Sequence, residues 1–263
     1  MPNIEVSIII TIYNKFDFLE LVLAGFEIQS FKNFEIILAD DGSSPDVVEK
    51  IKNRIAKSSI PITHVWHEDE GWRKNIILNK AILKSNSGYL IFVDGDCIPH
   101  KHFVKEHVFN KQNNVVLAGR RLYLSKRITL LLTEEKVRKG LLYNYFFIYS
   151  VILRIFGHGN HIENGLYIKS KLIRRFINRK ERGIKGSNFS IHKSDILDII
   201  LLLKELQKGR KVTLKDKNVK PLLENCLVTY EDLLNREINK KFAINKIRDL
   251  LLKGLRERNN ESN

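Results

Sequence analysis

Two carboxylates one residue apart, Asp94-Gly95-Asp96, close the apolar run Tyr89-Leu90-Ile91-Phe92-Val93. An extended run ending this way aims both acids along the same side of the strand end. Paired hard oxygen ligands suit Mg2+ or Mn2+, which keep coordination positions open for phosphate oxygens. A divalent cation held there would neutralise the charge that grows on a departing diphosphate. A second reading is purely local: Asp-Gly is a favoured hairpin pair, and the segment would then be a tight turn.

Other polar clusters invite the same double reading. Asp40-Asp41-Gly42-Ser43-Ser44 is either a strand end with a helix N-cap or a carboxylate that accepts the imide N–H of uracil. Arg73 and Lys74, in Gly71-Trp72-Arg73-Lys74-Asn75, stand at a helix start, where cations either hold phosphate or are simply solvated. The eight histidines show no Cys/His spacing suited to zinc. Neither a Gly-x-Ser-x-Gly elbow nor a Walker loop is present, so hydrolase and P-loop readings have no support.

The elements that position these residues are legible from periodicity. Residues 6–12, 34–39, 62–66 and 89–93 read as strands, the first two and the last as buried β-branched or apolar runs. Between them, residues 16–29, 45–56 and 74–85 carry helical spacing. This cadence predicts a mostly parallel sheet flanked by helices, with ligands bound beyond the carboxyl ends of the strands. Tyr13-Asn14, Asp40-Asp41 and Asp94-Gly95-Asp96 all fall at such ends and converge on one cleft.

With 263 residues, 43% of them hydrophobic and 29% charged, the chain is long enough for a large buried core and is not compositionally disordered. Two cysteines exclude a disulfide scaffold and fit a reducing, cytoplasmic setting. No basic leader and no apolar run of about 18 residues is read, so neither a secretory signal nor a membrane span is expected. The net charge of +15 is unevenly spread: −2 over residues 1–119, +12 over 120–186 and +5 over 187–263. Residues 141–156 are aromatic-rich with basic neighbours, and two readings stand for them. One is a helix in the interface of an anionic membrane, on its inner face; the other is a helix buried against the sheet. Nucleic-acid binding has charge in its favour but no readable module. Helices are expected over 197–206, 231–238 and 244–255.

The ordered set Val6–Asn14, Ile37–Ser44, Gly71–Ala81 and Leu90–Asp96 resembles the family 2 glycosyltransferases of the GT-A fold. The later Gly186-Ser187-Asn188 is similar to that family's acceptor-side Gly-x-Asn segment. The resemblance implies a Rossmann-like α/β fold and inverting transfer from a nucleotide-activated sugar, UDP-linked, to a glycan or lipid-linked acceptor. It implies that Thr11, Tyr13, Asp41, Arg73 and Asp94 bind the donor and that Asp96, with Asp94, holds Mn2+ or Mg2+. Gly186, Ser187 and Asn188 would border donor sugar and acceptor. It suggests a division into a nucleotide-sugar half (1–119), a basic acceptor-side or membrane-facing region (120–195) and a helical C-terminal part (196–263). The family's Gly-Phe-Asp-Glu stretch and subsequent Glu-Asp pair are absent after Asn188. The nearest acidic pair, Glu231-Asp232, makes Asp232 the candidate base, unless it only matches a helix dipole. A catalytically impaired protein that binds nucleotide-sugar or glycan is the alternative.

Overall fold

The computed structural model describes residues 4–124, 126–141, 159–160 and 186–197. The expected alternation is present: β1 (Val6–Ile12), α1 (Phe16–Glu27), β2 (Phe34–Asp40), α2 (Pro45–Ala56), β3 (Ile62–Trp66), α3 (Lys74–Lys84) and β4 (Tyr89–Asp94). There follow α4 (Phe103–Phe109), β5 (Leu117–Ala118), β6 (Tyr123–Leu124), α5 (Lys126–Leu130), α6 (Glu134–Arg138), β7 (Gly159–Asn160) and β8 (Asn188–His192). The main sheet has the order β3-β2-β1-β4-β8-β5, and β6 pairs with β7 in a separate two-stranded ribbon. β1 runs parallel to β2 and β4, and β2 parallel to β3, whereas β5 and β8 pair antiparallel. This mixed, mostly parallel sheet with helices on both faces is the Rossmann-like GT-A arrangement. Among the described residues, those up to Lys111 and from Leu117 to Ile191 belong to one compact unit, and residues 112–116 and 192–197 belong to a second.

Burial on both faces explains the continuous apolar runs. One face presents Ile8, Ile10, Ile36, Leu38, Ile91 and Val93 to Leu19, Leu23 and Phe26 of α1, Ile51 of α2 and Val104 of α4. The alternate residues Ile9, Ile37 and Leu90 are equally buried. Helix α3 contacts β1, β2 and β3, and its buried Ile77, Ala81 and Ile82 lie outside the first cluster, so it covers the other face. Each fully buried Ile or Leu contributes about 1.5–3 kcal/mol, which makes this core the foundation on which the strand ends are held.

Helix α1 stops two residues before the spacing predicts. Gln29 instead donates from Nε2 to the Gly25 and His100 carbonyls, both at 2.9 Å, and accepts from the Val104 backbone N–H at 3.1 Å. One side chain thus ties the end of α1 to the chain that follows the Asp94-Gly95-Asp96 turn. At the opposite end of the strands the buried Glu35 accepts from Ser7 Oγ at 2.6 Å and from the Asn86 backbone and side-chain nitrogens, each at 2.7 Å. These bonds fix the N-terminal edge of the sheet, away from the clustered acids.

Candidate functional site

Register brings two of the site residues together, Thr11 and Asp94. Thr11 of β1 is the partner of Asp94 of β4 and of Ala39 of β2. Thr11 Oγ1 therefore donates to Asp94 Oδ1 at 3.1 Å. Lys74 Nζ, from the first turn of α3, reaches the same oxygen at 2.7 Å, and Arg121 Nη1 stands 3.7 Å from Asp94 Oδ2. Lys74 is thus not merely solvated; it pairs with Asp94.

The Asp94–Asp96 segment is not a hairpin turn. Gly95 lacks the positive φ that such a pair needs, and no antiparallel partner of β4 follows it directly. The glycine is there because the Thr11 carbonyl lies against it: a Cβ at position 95 would meet that oxygen at 2.6 Å. The Gly95 N–H donates to the same carbonyl at 2.8 Å.

Among the described residues, ligand atoms of Asp94, Asp96 and Cys97 lie within 4.8 Å of one another. Burial, with Asp96 and Asp94 beside it, pushes the Cys97 thiol up to about 12, and a soft sulfur is in any case a poorer match than carboxylate oxygen for a hard divalent cation. Two carboxylates with open surroundings at Asp96 fit a hard divalent cation such as Mn2+ or Mg2+. Asp96 is the exposed member of the pair, and Asp94 is already engaged by Lys74 and Thr11.

The two acids after β2 separate in role. Asp40 is fully buried and accepts from the Ser43 N–H at 2.8 Å and bonds His64 Nε2 at 2.9 Å, which is turn architecture. Asp41 bonds His67 Nε2 at 2.8 Å and accepts from the Arg73 backbone N–H at 3.1 Å. Gly42, with φ +97°, allows the turn, and its missing Cβ leaves room for the Asp69 backbone. Tyr13 is half exposed and donates from its hydroxyl to Asp69 Oδ2 at 2.9 Å. That bond raises the Tyr13 phenol above its usual range, while the Gly71 N–H and the Tyr13 hydroxyl hold the Asp69 carboxyl below its own. Asn14, in the left-handed region at φ 53°, links its loop to Ser43 and Ser44. The Arg73 guanidinium is taken by Glu70 and the Glu68 carbonyl, so the residue serves the site through its backbone N–H.

Gly186, Ser187 and Asn188 enter β8, which neighbours β4. Ser187 is buried and its Oγ accepts from Arg121 Nη1 at 3.0 Å, connecting this segment to Asp94. A cavity of about 560 Å³ opens beside Asp96 and is lined also by Arg121, Asn188, Phe18, His102 and Leu132. Asp232, residues 142–156 of the aromatic-rich segment and the C-terminal helices beyond residue 197 fall outside the described residues. Among the described residues, no helix is long and apolar enough to cross a membrane. Sequence reasoning missed Arg121 and His67, whose roles depend on partners far along the chain; only the basic excess after residue 119 pointed toward Arg121.

A family model described as Glycosyl transferase family 2 matches residues 7–189. Similar sequences include an uncharacterized glycosyltransferase of Rickettsia felis, 30% identical over 119 residues, covering 45% of this chain and 19% of that protein. Chondroitin synthase of Escherichia coli is 28% identical over 121 residues, covering 45% and 17% respectively. The chain thus spans about a fifth of the length of the curated relatives it matches. Among solved structures, the mannosyltransferase PcManGT from Pyrobaculum calidifontis in complex with GDP-Man and Mn2+ is similar at a TM-score of 0.40 and 18% identity, over 44% of this chain and 35% of that one. With the family model covering β1 through the start of β8, the chain belongs to glycosyl transferase family 2.

Proposed function

We propose that the protein transfers a sugar, with inversion, from a UDP-linked donor to a hydroxyl of a glycan or lipid-linked acceptor. The observation that carries this reading is the pair of carboxylates, Asp94 and Asp96, presented at the C-terminal ends of parallel strands with Lys74 and Arg121 beside them. Asp41 takes the uracil imide N–H. Its two oxygens each accept one hydrogen bond, which orients the carboxylate, and each retains a lone pair. Tyr13 and Thr11 line the nucleotide. Asp96, with Asp94, holds Mn2+ or Mg2+. When bound, the cation supplies charge neutralisation for the diphosphate. Arg121 adds a fixed cation on the same side. The acceptor enters the cavity beside Asp96 and Asn188. Asp232 is assigned as the base that takes the acceptor hydroxyl proton, after which the oxygen attacks the anomeric carbon opposite the departing diphosphate. In this scheme residues 1–119 carry the donor, 120–195 the acceptor side, and the aromatic-rich segment 141–156 with its basic neighbours in sequence meets an anionic membrane.

Calorimetric titration with UDP, with and without Mn2+, tests the donor half. Binding should require the metal and should be lost in Asp96→Asn, because an amide lacks the charge that holds a divalent ion. Metal-independent binding, or unchanged affinity in the variant, refutes the assignment. Asp232→Asn should bind UDP·Mn2+ normally and transfer no sugar; transfer at the wild-type rate places the base elsewhere.

A further inference from the structure

Behind the cleft, four side chains form a hydrogen-bonded chain whose direction can be worked out atom by atom. Tyr89 Oη and Ser190 Oγ lie 2.7 Å apart, Ser190 Oγ and His107 Nδ1 2.6 Å, and His107 Nε2 and Asn188 Oδ1 3.0 Å. Asn188 Nδ2 lies 2.8 Å from the Arg120 carbonyl. That carbonyl only accepts, so the Asn188 NH2 must face it, and the amide oxygen must face His107. His107 therefore carries its proton on Nε2. Burial pushes its imidazole down to about 4, so near neutral pH it holds no second proton, and Nδ1 accepts. Ser190 must then donate to Nδ1, and Tyr89 to Ser190. Every donor in the chain has one acceptor, and only one tautomer of the histidine satisfies the set.

The Asn188 amide is held from a second side. A Cβ on Gly119 would land on the Asn188 amide, and the Gly119 N–H donates to the Asn188 carbonyl at 2.9 Å. Residue 119 thus leaves the space that the amide fills. The next residue back, Ser187, accepts from Arg121, which faces Asp94. Through two neighbouring residues the buried chain is coupled to the acid cluster.

We propose that His107 is a positioning residue for sugar transfer, fixing the orientation of the Asn188 amide at the acceptor side and, through adjacent Ser187, the placement of Arg121 toward Asp94. This rests on reading residues 186–188 as the acceptor-side segment. His107 touches neither substrate nor cation; it acts through Asn188. Its value to the reaction is geometric, since a misplacement on the scale of 1 Å at a reacting centre costs up to about a hundredfold in rate.

The test compares three variants. Gln places a side-chain NH2 near the position of His107 Nε2, whereas Asn is too short to do so. His107→Gln should keep kcat within about threefold of wild type, and His107→Asn should lose about tenfold or more. Gly119→Ala should match His107→Asn, because it displaces the same amide without touching the histidine. Turnover is read as UDP release from a panel of UDP-hexoses with Mn2+; UDP·Mn2+ affinity, to which Arg121 contributes, should stay near wild type in His107→Gln and fall by less than turnover in His107→Asn and Gly119→Ala. Wild-type kcat in folded His107→Asn, or equal losses in the Gln and Asn variants, overturns the proposal. A 15N spectrum of the imidazoles at pH 7 supplies a readout that needs no substrate: it should show His107 protonated on Nε2, and protonation on Nδ1 refutes the positioning. If the wild type fails to bind UDP with Mn2+ while the tautomer is as stated, the nucleotide-sugar reading fails and the His107–Asn188 arrangement stands.

Discussion

A methyl group added at position 95 would lie 2.6 Å from the Thr11 carbonyl oxygen, a separation that real Cβ atoms do not adopt. To restore even a tight 3.0 Å contact, the backbone between Asp94 and Asp96 must retreat from β1 by about 0.4 Å, and an ordinary contact at 3.4 Å needs about 0.8 Å. Neither neighbour gives easily. Thr11 lies inside β1, paired on both sides, and its carbonyl also receives the Gly95 N–H, which the retreat would weaken. Overpacking of this size costs about 1–3 kcal/mol of stability. Displacing two carboxylates by a fraction of an ångström loosens a divalent site that depends on their separation, and a tenfold loss of affinity corresponds to about 1.4 kcal/mol. Gly95→Ala should therefore unfold at lower urea concentration and bind UDP·Mn2+ about tenfold more weakly. Gly88→Ala is the matched control, since a Cβ there meets nothing within 4 Å and its φ is not in the left-handed region. Calorimetry and urea titration of both variants decide the matter. A Gly95→Ala protein that equals Gly88→Ala in stability and in UDP·Mn2+ affinity refutes the close-approach argument.

Two further perturbations separate folding from function. Glu35→Gln replaces an acceptor by a donor among the bonds from Ser7 and Asn86, leaving a buried polar group unsatisfied, and should cost about 2 kcal/mol in urea unfolding with UDP affinity unchanged. A loss of UDP binding equal to that of Asp96→Asn would contradict its purely structural place. Lowering pH should destabilise the fold through His107 and His100, both pushed down to about 4, chiefly by burial. Between about 6.5 and 4 the unfolded imidazole binds a proton that the folded one refuses, so their stabilisation is complete above 6.5 and lost as pH falls. Comparing wild type with His107→Gln at pH 7 and 4.5 should isolate a difference of about 2 kcal/mol, and equal pH dependence of the two proteins counts against a neutral buried His107.

Local pattern and long-range pairing were unequally legible. The bounds of β1 and α2 agree with periodicity, because a doubly buried strand must be continuously apolar and an amphipathic helix must repeat its apolar face; the half-exposed β3 also has the expected bounds. The positions of Asp41 just after β2 and of Asp94 at the end of β4 followed from the strand pattern alone. By contrast, β5, β6 and β7 have two residues each, too few for any period to register. Arg121 finds Ser187 66 residues away, and Tyr89 finds Ser190 101 residues away, so no spacing rule reaches them. The double reading of Asp40-Asp41 was also irreducible from sequence: Asp40 turned inward to the Ser43 N–H and His64, and Asp41 toward His67 and the Arg73 backbone, a division set by which side of the β2 end each occupies.

The same kind of division governs Asp94 and Asp96, and it has a consequence for charge. Asp94 has about a quarter of its side chain exposed, with Lys74 at 2.7 Å, a hydroxyl at 3.1 Å and a guanidinium at 3.7 Å. A carboxylate so surrounded contributes little net negative field to the cleft, since its charge is met within the first contact layer. Asp96, exposed and adjacent, has no such cation among the described residues and is bonded by the weak donor Cys97 Sγ at 3.4 Å. On the proposed reading, the net attraction for a divalent ion would therefore originate at Asp96, while the Asp94–Lys74 pair would set the geometry against which that ion sits. Replacing Asp96 removes the charge itself; replacing Lys74 would release Asp94 to compete for the same cation. The two acids look interchangeable in the sequence, yet β4 gives one of them partners and leaves the other open.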